Sequence, residues 1–165
     1  MPAFQRRDKT NYYLDLAETV SKRCTCLRRW YGAVIVKNDE VISTGYAGAP
    51  RGRTNCSDLG CCLRDKLEIP RGQRFELCRS VHAEANAIIC APRRDMIGAD
   101  LYLVGTEVAD GSYIQNATCC SMCKRLVINA GIARVIVRDN RENYRVIQVS
   151  EWVEDDESLR GVMGY

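Results

Sequence analysis

The stretch Ala33-Val34-Ile35-Val36-Lys37-Asn38-Asp39-Glu40-Val41-Ile42-Ser43-Thr44-Gly45 sets the fold class. Two runs rich in β-branched residues flank Asn38-Asp39-Glu40, residue types that turn a chain, so the stretch reads as a pair of strands around a turn. Upstream, Tyr12 to Cys24 reads as an amphipathic helix whose apolar face holds Leu14, Leu16, Ala17 and Val20. Downstream, helix and strand alternate. Val81 to Ala91 reads as a helix stopped by Pro92, and Leu101-Tyr102-Leu103-Val104 as a third strand. Ser121 to Ala130 reads as a helix closed by Gly131. Ala133-Arg134-Val135-Ile136-Val137 follows as a fourth strand and Arg145-Val146-Ile147-Gln148-Val149 as a fifth. This order predicts an α/β fold with helices over both faces of one sheet. Glu151 to Glu157 reads as a solvated acidic tail.

The chain has 165 residues, enough for one domain with a sizeable core. Its 24 basic and 21 acidic side chains leave a net charge of +3. That balance makes no electrostatic case for a nucleic-acid or membrane surface. Met1 to Arg7 contains no apolar leader, and no apolar run is long enough to span a bilayer. The ten cysteines stand at 24, 26, 56, 61, 62, 78, 90, 119, 120 and 123. They fall below the density of disulfide scaffolds. With no export signal the expected compartment is the cytoplasm, where clustered thiols serve as metal ligands or redox groups. Cys90, within Ala87-Ile88-Ile89-Cys90-Ala91, reads as a small buried hydrophobe.

Ala47 to Ser80 resists the alternating scheme. It carries Gly48, Pro50, Gly52, Gly60, Pro70 and Gly72, with little periodic signal beyond Cys62 to Lys66. A segment this long inside a compact domain needs its own staple or a function. It contains Cys56, Cys61, Cys62 and Cys78. The whole is read as one domain over residues 1–165, with a cysteine-rich insertion at about 47–80.

The sole histidine, His82, opens His82-Ala83-Glu84, and Cys120-Ser121-Met122-Cys123 stands at the far end of the next βα unit. One imidazole, one nearby carboxylate and two thiols are what a catalytic zinc site needs, with three protein ligands and one open position. Residues two apart on a helix diverge, so His82 and Glu84 share a site only at the very start of their helix. Cys120 and Cys123 share a face and also begin a helix, where free N–H groups favour thiolate. In such a set zinc supplies an activated water, and Glu84 is left to carry the proton. A structural zinc knot would want a fourth protein ligand, for which only Cys119 is locally available.

These residues resemble the zinc-dependent nucleobase deaminases, and within them the deoxycytidylate (dCMP) branch of the cytidine deaminase superfamily. Gly32-Ala33-Val34-Ile35-Val36, Ser43-Thr44-Gly45-Tyr46-Ala47-Gly48-Ala49-Pro50 and Cys78-Arg79-Ser80-Val81-His82-Ala83-Glu84-Ala85-Asn86-Ala87-Ile88 carry the resemblance. Cys120-Ser121-Met122-Cys123-Lys124-Arg125 and Ile128-Asn129-Ala130-Gly131-Ile132 continue it. It implies a three-layer α/β/α sandwich with a mixed central sheet and hydrolysis of dCMP to dUMP. It further implies zinc at His82, Cys120 and Cys123 with Glu84 as proton shuttle. Homo-oligomers, commonly hexamers, activated by dCTP and inhibited by dTTP with Mg²⁺ on the effector, are also implied. Two positions depart from the family pattern. Ala47 stands where the family has asparagine, and Cys119 where it has the proline before the zinc cysteine. Cys120 is retained as ligand because its spacing to Cys123 is the usual chelate.

The resemblance also implies a second, structural zinc on Cys26, Cys56 and Cys78, with Cys62 preferred to Cys61 as the fourth ligand. A closed four-thiolate site would order the irregular segment. Arg28, Arg29, Arg51, Arg53, Arg93 and Arg94 could meet a substrate phosphate, and the resemblance favours Arg93. Asn86 either touches the substrate or holds a neighbouring loop. Rival readings are a deaminase of another free cytosine nucleotide or nucleoside or of guanine, a nucleic-acid-editing deaminase, and a zinc module without catalysis. With 7% aromatic residues the chain shows no stacking surface for a single strand.

Overall fold

Asp8 starts the first element by accepting a hydrogen bond from the Asn11 backbone N–H at 2.9 Å, which satisfies a free helix donor. In the computed structural model, which describes residues 4–160, the chain then runs through α1 (Lys9–Ser21), β1 (Arg29–Lys37) and β2 (Glu40–Tyr46). Two single turns follow, α2 (Cys56–Leu59) and α3 (Leu63–Lys66), and a 3₁₀ turn at Phe75–Leu77. Then come α4 (Ala83–Ile89), α5 (Arg93–Met96), β3 (Asp100–Glu107), α6 (Ser121–Ala130), β4 (Arg134–Arg138), β5 (Tyr144–Gln148) and α7 (Val149–Glu154). The reading of Met1–Arg7 falls partly on residues 1–3, outside the described range.

The five strands form one sheet in the order β2-β1-β3-β4-β5. β3 and β4 are parallel and the other neighbours antiparallel, so the sheet is mixed. Asn38 and Asp39 turn the β1–β2 hairpin with φ of 49° and 66°, a conformation that short polar side chains tolerate. α1 covers one face, where Tyr13, Leu14 and Ala17 pack on Val34, Val36, Tyr102, Val104 and Ile136. α4, α6 and α7 cover the other, where Ala83, Ala87, Cys123, Val127 and Val149 pack on Ala33, Ile35, Leu101, Leu103, Val135 and Val137. This is the expected α/β/α sandwich. Among the described residues no helix is long and apolar enough to cross a membrane.

Two glycines set how close the layers come. A Cβ on Gly32 would lie 2.0 Å from the Ala17 carbonyl oxygen of α1. A Cβ on Gly45 would lie 2.3 Å from both the Ala83 carbonyl and the Ala87 nitrogen of α4. Real side chains do not approach backbone that closely, so glycine is required at both places. Beside Gly45, Ser43 donates its hydroxyl to the Ala87 carbonyl at 2.7 Å. Asn86 donates from the helix to the Tyr46 carbonyl at 2.8 Å. β2 thereby fixes α4 in both height and rotation.

Three expectations need correction. The tail is not a bare solvated segment, because Val149–Glu154 is helical. Val149 and Trp152, three apart on one face, pack against the core, and Lys124 lies 5.4 Å over the Trp152 ring. Cys90 is exposed rather than buried, because α4 ends at Ile89 and its packed face does not extend to the capping residue. α1 starts and ends three residues earlier than its apolar pattern implied, because Asp8 sets the start. A fully buried arginine went unforeseen. Arg138 on β4 reaches Asp15 at 2.7 Å and Glu18 at 2.6 Å on α1, and so ties that helix to the sheet.

Gly45→Ala is expected to push α4 off β2. Overpacking of this kind costs about 1–3 kcal/mol, and in a thermal melt the midpoint should fall by roughly 3–10 °C. An unchanged midpoint would show that the close approach does not matter to stability.

Candidate active site

His82 is the N-cap residue of α4 and Cys120 that of α6, each in extended backbone just before the first helical turn. An N-cap side chain lies outside the helix spiral, and so His82 and Glu84 both face one pocket although two residues apart. The parallel β3–α6–β4 unit brings the start of α6 to the same end of the sheet as the start of α4. His82 Nδ1 lies 3.4 Å from Cys120 Sγ and 3.4 Å from Cys123 Sγ. All three donor atoms fall within 4.8 Å of one another, and among the described residues this is the only such group of three or more. A tetrahedral zinc with bonds of ~2.0 Å to nitrogen and ~2.3 Å to sulphur separates its N and S ligands by about 3.5 Å. The donor set therefore fits zinc, with a coordination position left open.

The electrostatics of the trio suit a cation. Burial works against a charged His82, yet the sulphurs of Cys120 and Cys78 beside it raise it to about 10. Cys123 donates to Cys120 and holds that thiol well below the usual range, while Cys123 itself is pushed up and keeps its proton. A metal that binds the three donors takes the place of protons there. Glu84 is 4% exposed, and burial pushes its carboxyl up. It is thus held ready to accept and return a proton.

Cys119 goes elsewhere. It is 1% exposed, its thiol pairs with the Glu84 carboxyl, and burial pushes it well above the usual range. The three-donor group contains Cys120 and not Cys119. Ala47 lies on the pocket wall, where its N–H donates to Tyr31 and its carbonyl accepts from Thr25. Residue 47 offers the pocket no polar side chain.

Arg93 and Asn86 are both engaged by backbone carbonyls. Arg93 lies outside the pocket, because its Nε donates to the Asn129 carbonyl at 2.7 Å near the end of α6. Asn86 takes the loop-holding alternative, with its amide nitrogen committed to the carbonyls of Tyr46 and Val81. The cationic side chains on the pocket wall are instead Arg28, Arg29, Arg64 and Arg71. Arg64 and Arg71 went unforeseen because the single turns around them carry no periodicity. Phe75 was also missed. Its ring and that of His82 meet in a T-shaped arrangement at 5.5 Å, and the Arg64 guanidinium lies 4.7 Å from the Phe75 centre.

The second cysteine set lies next to the first. The thiol of Cys56 is buried and is pushed up first by burial and then by the charges of Cys26, Cys78 and Cys62 around it. Cys26, Cys62 and Cys78 share the wall of the same pocket, whereas Cys61 does not. The four do not close to the spacing of the His82 trio.

Comparison with known proteins agrees with this geometry. Residues 7–139 match the family described as the cytidine and deoxycytidylate deaminase zinc-binding region. The deoxycytidylate deaminase of Mycobacterium phage D29 is 36% identical over 135 residues, covering 79% of this chain and 94% of that protein. The deoxycytidylate deaminase of Schizosaccharomyces pombe is 32% identical over 127 residues, covering 76% of this chain. This chain spans 35% of that longer relative. A crystal structure of the dCMP deaminase from cyanophage S-TIM5 shares the fold, with a TM-score of 0.52 at 23% identity over 81% of this chain and 85% of the other.

The placement of the three thiols can be tested by metal analysis. Cys120→Ala should lose one equivalent of zinc per chain by inductively coupled plasma mass spectrometry, and Cys119→Ala should lose none. The reverse pattern would move the ligand to position 119.

Proposed function

The chain belongs to the cytidine and deoxycytidylate deaminase zinc-binding family, and from that premise we propose that it hydrolyses dCMP to dUMP and ammonia. The observation that carries this reading is the three-donor group with the buried Glu84 carboxyl beside it, facing a pocket walled by arginines. His82, Cys120 and Cys123 hold the zinc, which when bound supplies an activated water for attack at the amino-bearing ring carbon. Glu84 takes the proton from the attacking water and passes it to the adjacent ring nitrogen. It then takes the remaining proton of the added hydroxyl and delivers it to the departing amine, so that one water is consumed and one ammonia released. Cys119 donates to the Glu84 carboxyl and keeps it aimed into the pocket. Phe75 and Tyr31 give the pocket apolar walls for a pyrimidine ring.

A preference for the nucleotide over the nucleoside needs spare positive charge at the pocket mouth. Arg29 reaches Glu107 Oε1 at 2.8 Å, and Arg71 approaches the same oxygen at 3.9 Å. Two guanidiniums on one carboxylate leave a net positive charge, and both side chains keep solvent contact, at 39% and 67% exposure. They take the place of Arg93 as the phosphate contacts.

A second, structural zinc on Cys26, Cys56, Cys62 and Cys78 is part of the same reading. Its support is that the Arg28 N–H donates to Cys26 Sγ at 3.4 Å and the Ser80 N–H to Cys78 Sγ at 3.5 Å. Such bonds are strongest when the sulphur is a thiolate. The family reading also assigns one domain over residues 1–165, activation by dCTP and inhibition by dTTP with Mg²⁺ on the effector, and a hexamer of identical chains. Exposed Ile89, Leu126 and Val153 on α4, α6 and α7 favour contact between copies. The ten free thiols favour a reducing compartment, the cytoplasm.

Ammonia release from dCMP and from deoxycytidine tests the proposal. Zinc-replete protein should prefer dCMP, and Glu84→Gln should slow turnover by at least about 10²-fold. Arg71→Ala should raise KM for dCMP about tenfold and leave that for deoxycytidine unchanged. Undiminished turnover in Glu84→Gln, or equal use of both substrates by the unaltered protein, would refute this reading.

A further inference from the structure

Alternate residues of β1 share one face of the sheet, so Arg29, Tyr31, Ala33 and Ile35 all turn toward the layer that holds the active site. Arg29 stands at the phosphate end of the pocket, and Tyr31 is the next residue inward on that face. Its ring cannot withdraw from the pocket. It lies against the bare backbone of Gly105 on β3, where an added Cβ would come 2.5 Å from Tyr31 Cε1 and 2.8 Å from Cζ. The Tyr31 carbonyl is held by the Ala47 N–H at 3.2 Å and by the Cys24 thiol at 3.0 Å. Its hydroxyl meets no hydrogen-bond partner among the described residues, and the charges that act on it include those of Arg29, Glu84 and Glu107. Burial pushes the phenol up to about 12, so at neutral pH it keeps its proton and can donate. Ala47 beside it brings only a methyl group to the wall. A fixed donor without a partner, on the wall of a pocket, calls for an acceptor that arrives with the ligand.

We propose that Tyr31 is a specificity-determining substrate contact whose hydroxyl donates a hydrogen bond to the 3′-hydroxyl of the substrate's deoxyribose. The inference rests on the dCMP reading of the site and deepens it. The order of groups along the pocket selects this atom. The base has to reach Glu84 and the open position beside His82, and the 5′-phosphate has to reach the surplus charge of Arg29 and Arg71. The sugar joins the two, and Tyr31 lies within the field of both ends. A 2′-deoxyribose has one free hydroxyl, on C3′. Donation to it satisfies the phenol and the sugar together. A substrate that lacks it leaves the phenol unpaired in a largely buried place, and that costs binding. Gly105 behind the ring keeps the phenol from turning aside to a weaker partner.

The test compares ammonia release by the zinc-loaded protein, unaltered and as Tyr31→Phe, from dCMP and from 2′,3′-dideoxycytidine 5′-monophosphate. The unaltered protein should use dCMP roughly five- to tenfold better in kcat/KM than the dideoxy compound. Tyr31→Phe should lose that factor on dCMP, chiefly through KM, and lose nothing on the dideoxy compound, so that the two substrates become equivalent. An equal loss on both substrates would assign Tyr31 to the wall alone and overturn the proposal. Undiminished use of dCMP by Tyr31→Phe would overturn it as well. The phenylalanine ring keeps the contact with Gly105, so the thermal midpoint should not move. If it does fall, the ratio of the two substrates within each protein still decides, because loss of folded protein scales both alike. Absence of Glu84-dependent turnover of dCMP in the unaltered protein is a separate result, which would refute the dCMP reading and this inference with it.

Discussion

The whole arrangement depends on one constraint, the contact of α4 with the bare backbone of β2 at Gly45. With no Cβ at that position the helix backbone settles onto the strand, and Ser43 and Asn86 lock it there by hydrogen bonds. That contact sets where α4 begins. Its capping position delivers His82, and its first turn delivers Glu84. The parallel pairing of β3 with β4 requires a crossover helix, which delivers Cys120 and Cys123 to the same end of the sheet. Two helix N-termini then converge, and each contributes partial positive charge where thiolate and carboxylate stand. Donor groups from separate elements are thus brought together by backbone packing and by the hydrogen bonds that hold it.

Around this frame the chain distributes buried charge in two ways. Arg138 on the far face is matched by two carboxylates from α1, an internal settlement that joins helix to sheet. On the near face Arg29 and Arg71 share the single carboxylate of Glu107, and the buried Arg64 meets loop carbonyls and the Phe75 ring instead. On the proposed reading the surplus positive charge of Arg29 and Arg71 serves an anion from outside the protein, the substrate phosphate at the pocket mouth. Cys78 lies beside His82 and also among the second cysteine set, so the two loci abut. Order in the irregular segment and geometry at His82 are on this view one problem.

How much of this was legible in the sequence follows from what sets each feature. α6 was read correctly at both ends because its apolar period is unbroken and Gly131 ends it with φ of 81°. The strands were found because a β-branched run needs no outside partner to be recognised. The meeting of His82, Cys120 and Cys123 could be read because one imidazole and two thiols at helix starts have few other uses. Segment 47–80 could not, since turns of four residues carry no period and their position is set by Arg64 on Phe75 and on loop carbonyls. The engagements of Arg93 and Asn86 were hidden for a related reason. Each is satisfied by a backbone carbonyl, Asn129 for one and Tyr46 for the other, and such partners leave no trace in residue type. Cys119 was seen as a departure from proline, but its turn toward Glu84 rather than the metal donors depends on burial that only packing decides.

The account stands or falls on an open three-donor zinc site beside Glu84. A crystal structure of the zinc-loaded protein, with the metal located by anomalous scattering at the zinc edge, tests this most directly. The account predicts an ion about 2.0 Å from His82 Nδ1 and about 2.3 Å from Cys120 Sγ and Cys123 Sγ, with a solvent oxygen in the fourth position. Cys119 should remain on Glu84. An ion closed off by four protein ligands, or one bound through Cys119, would contradict it.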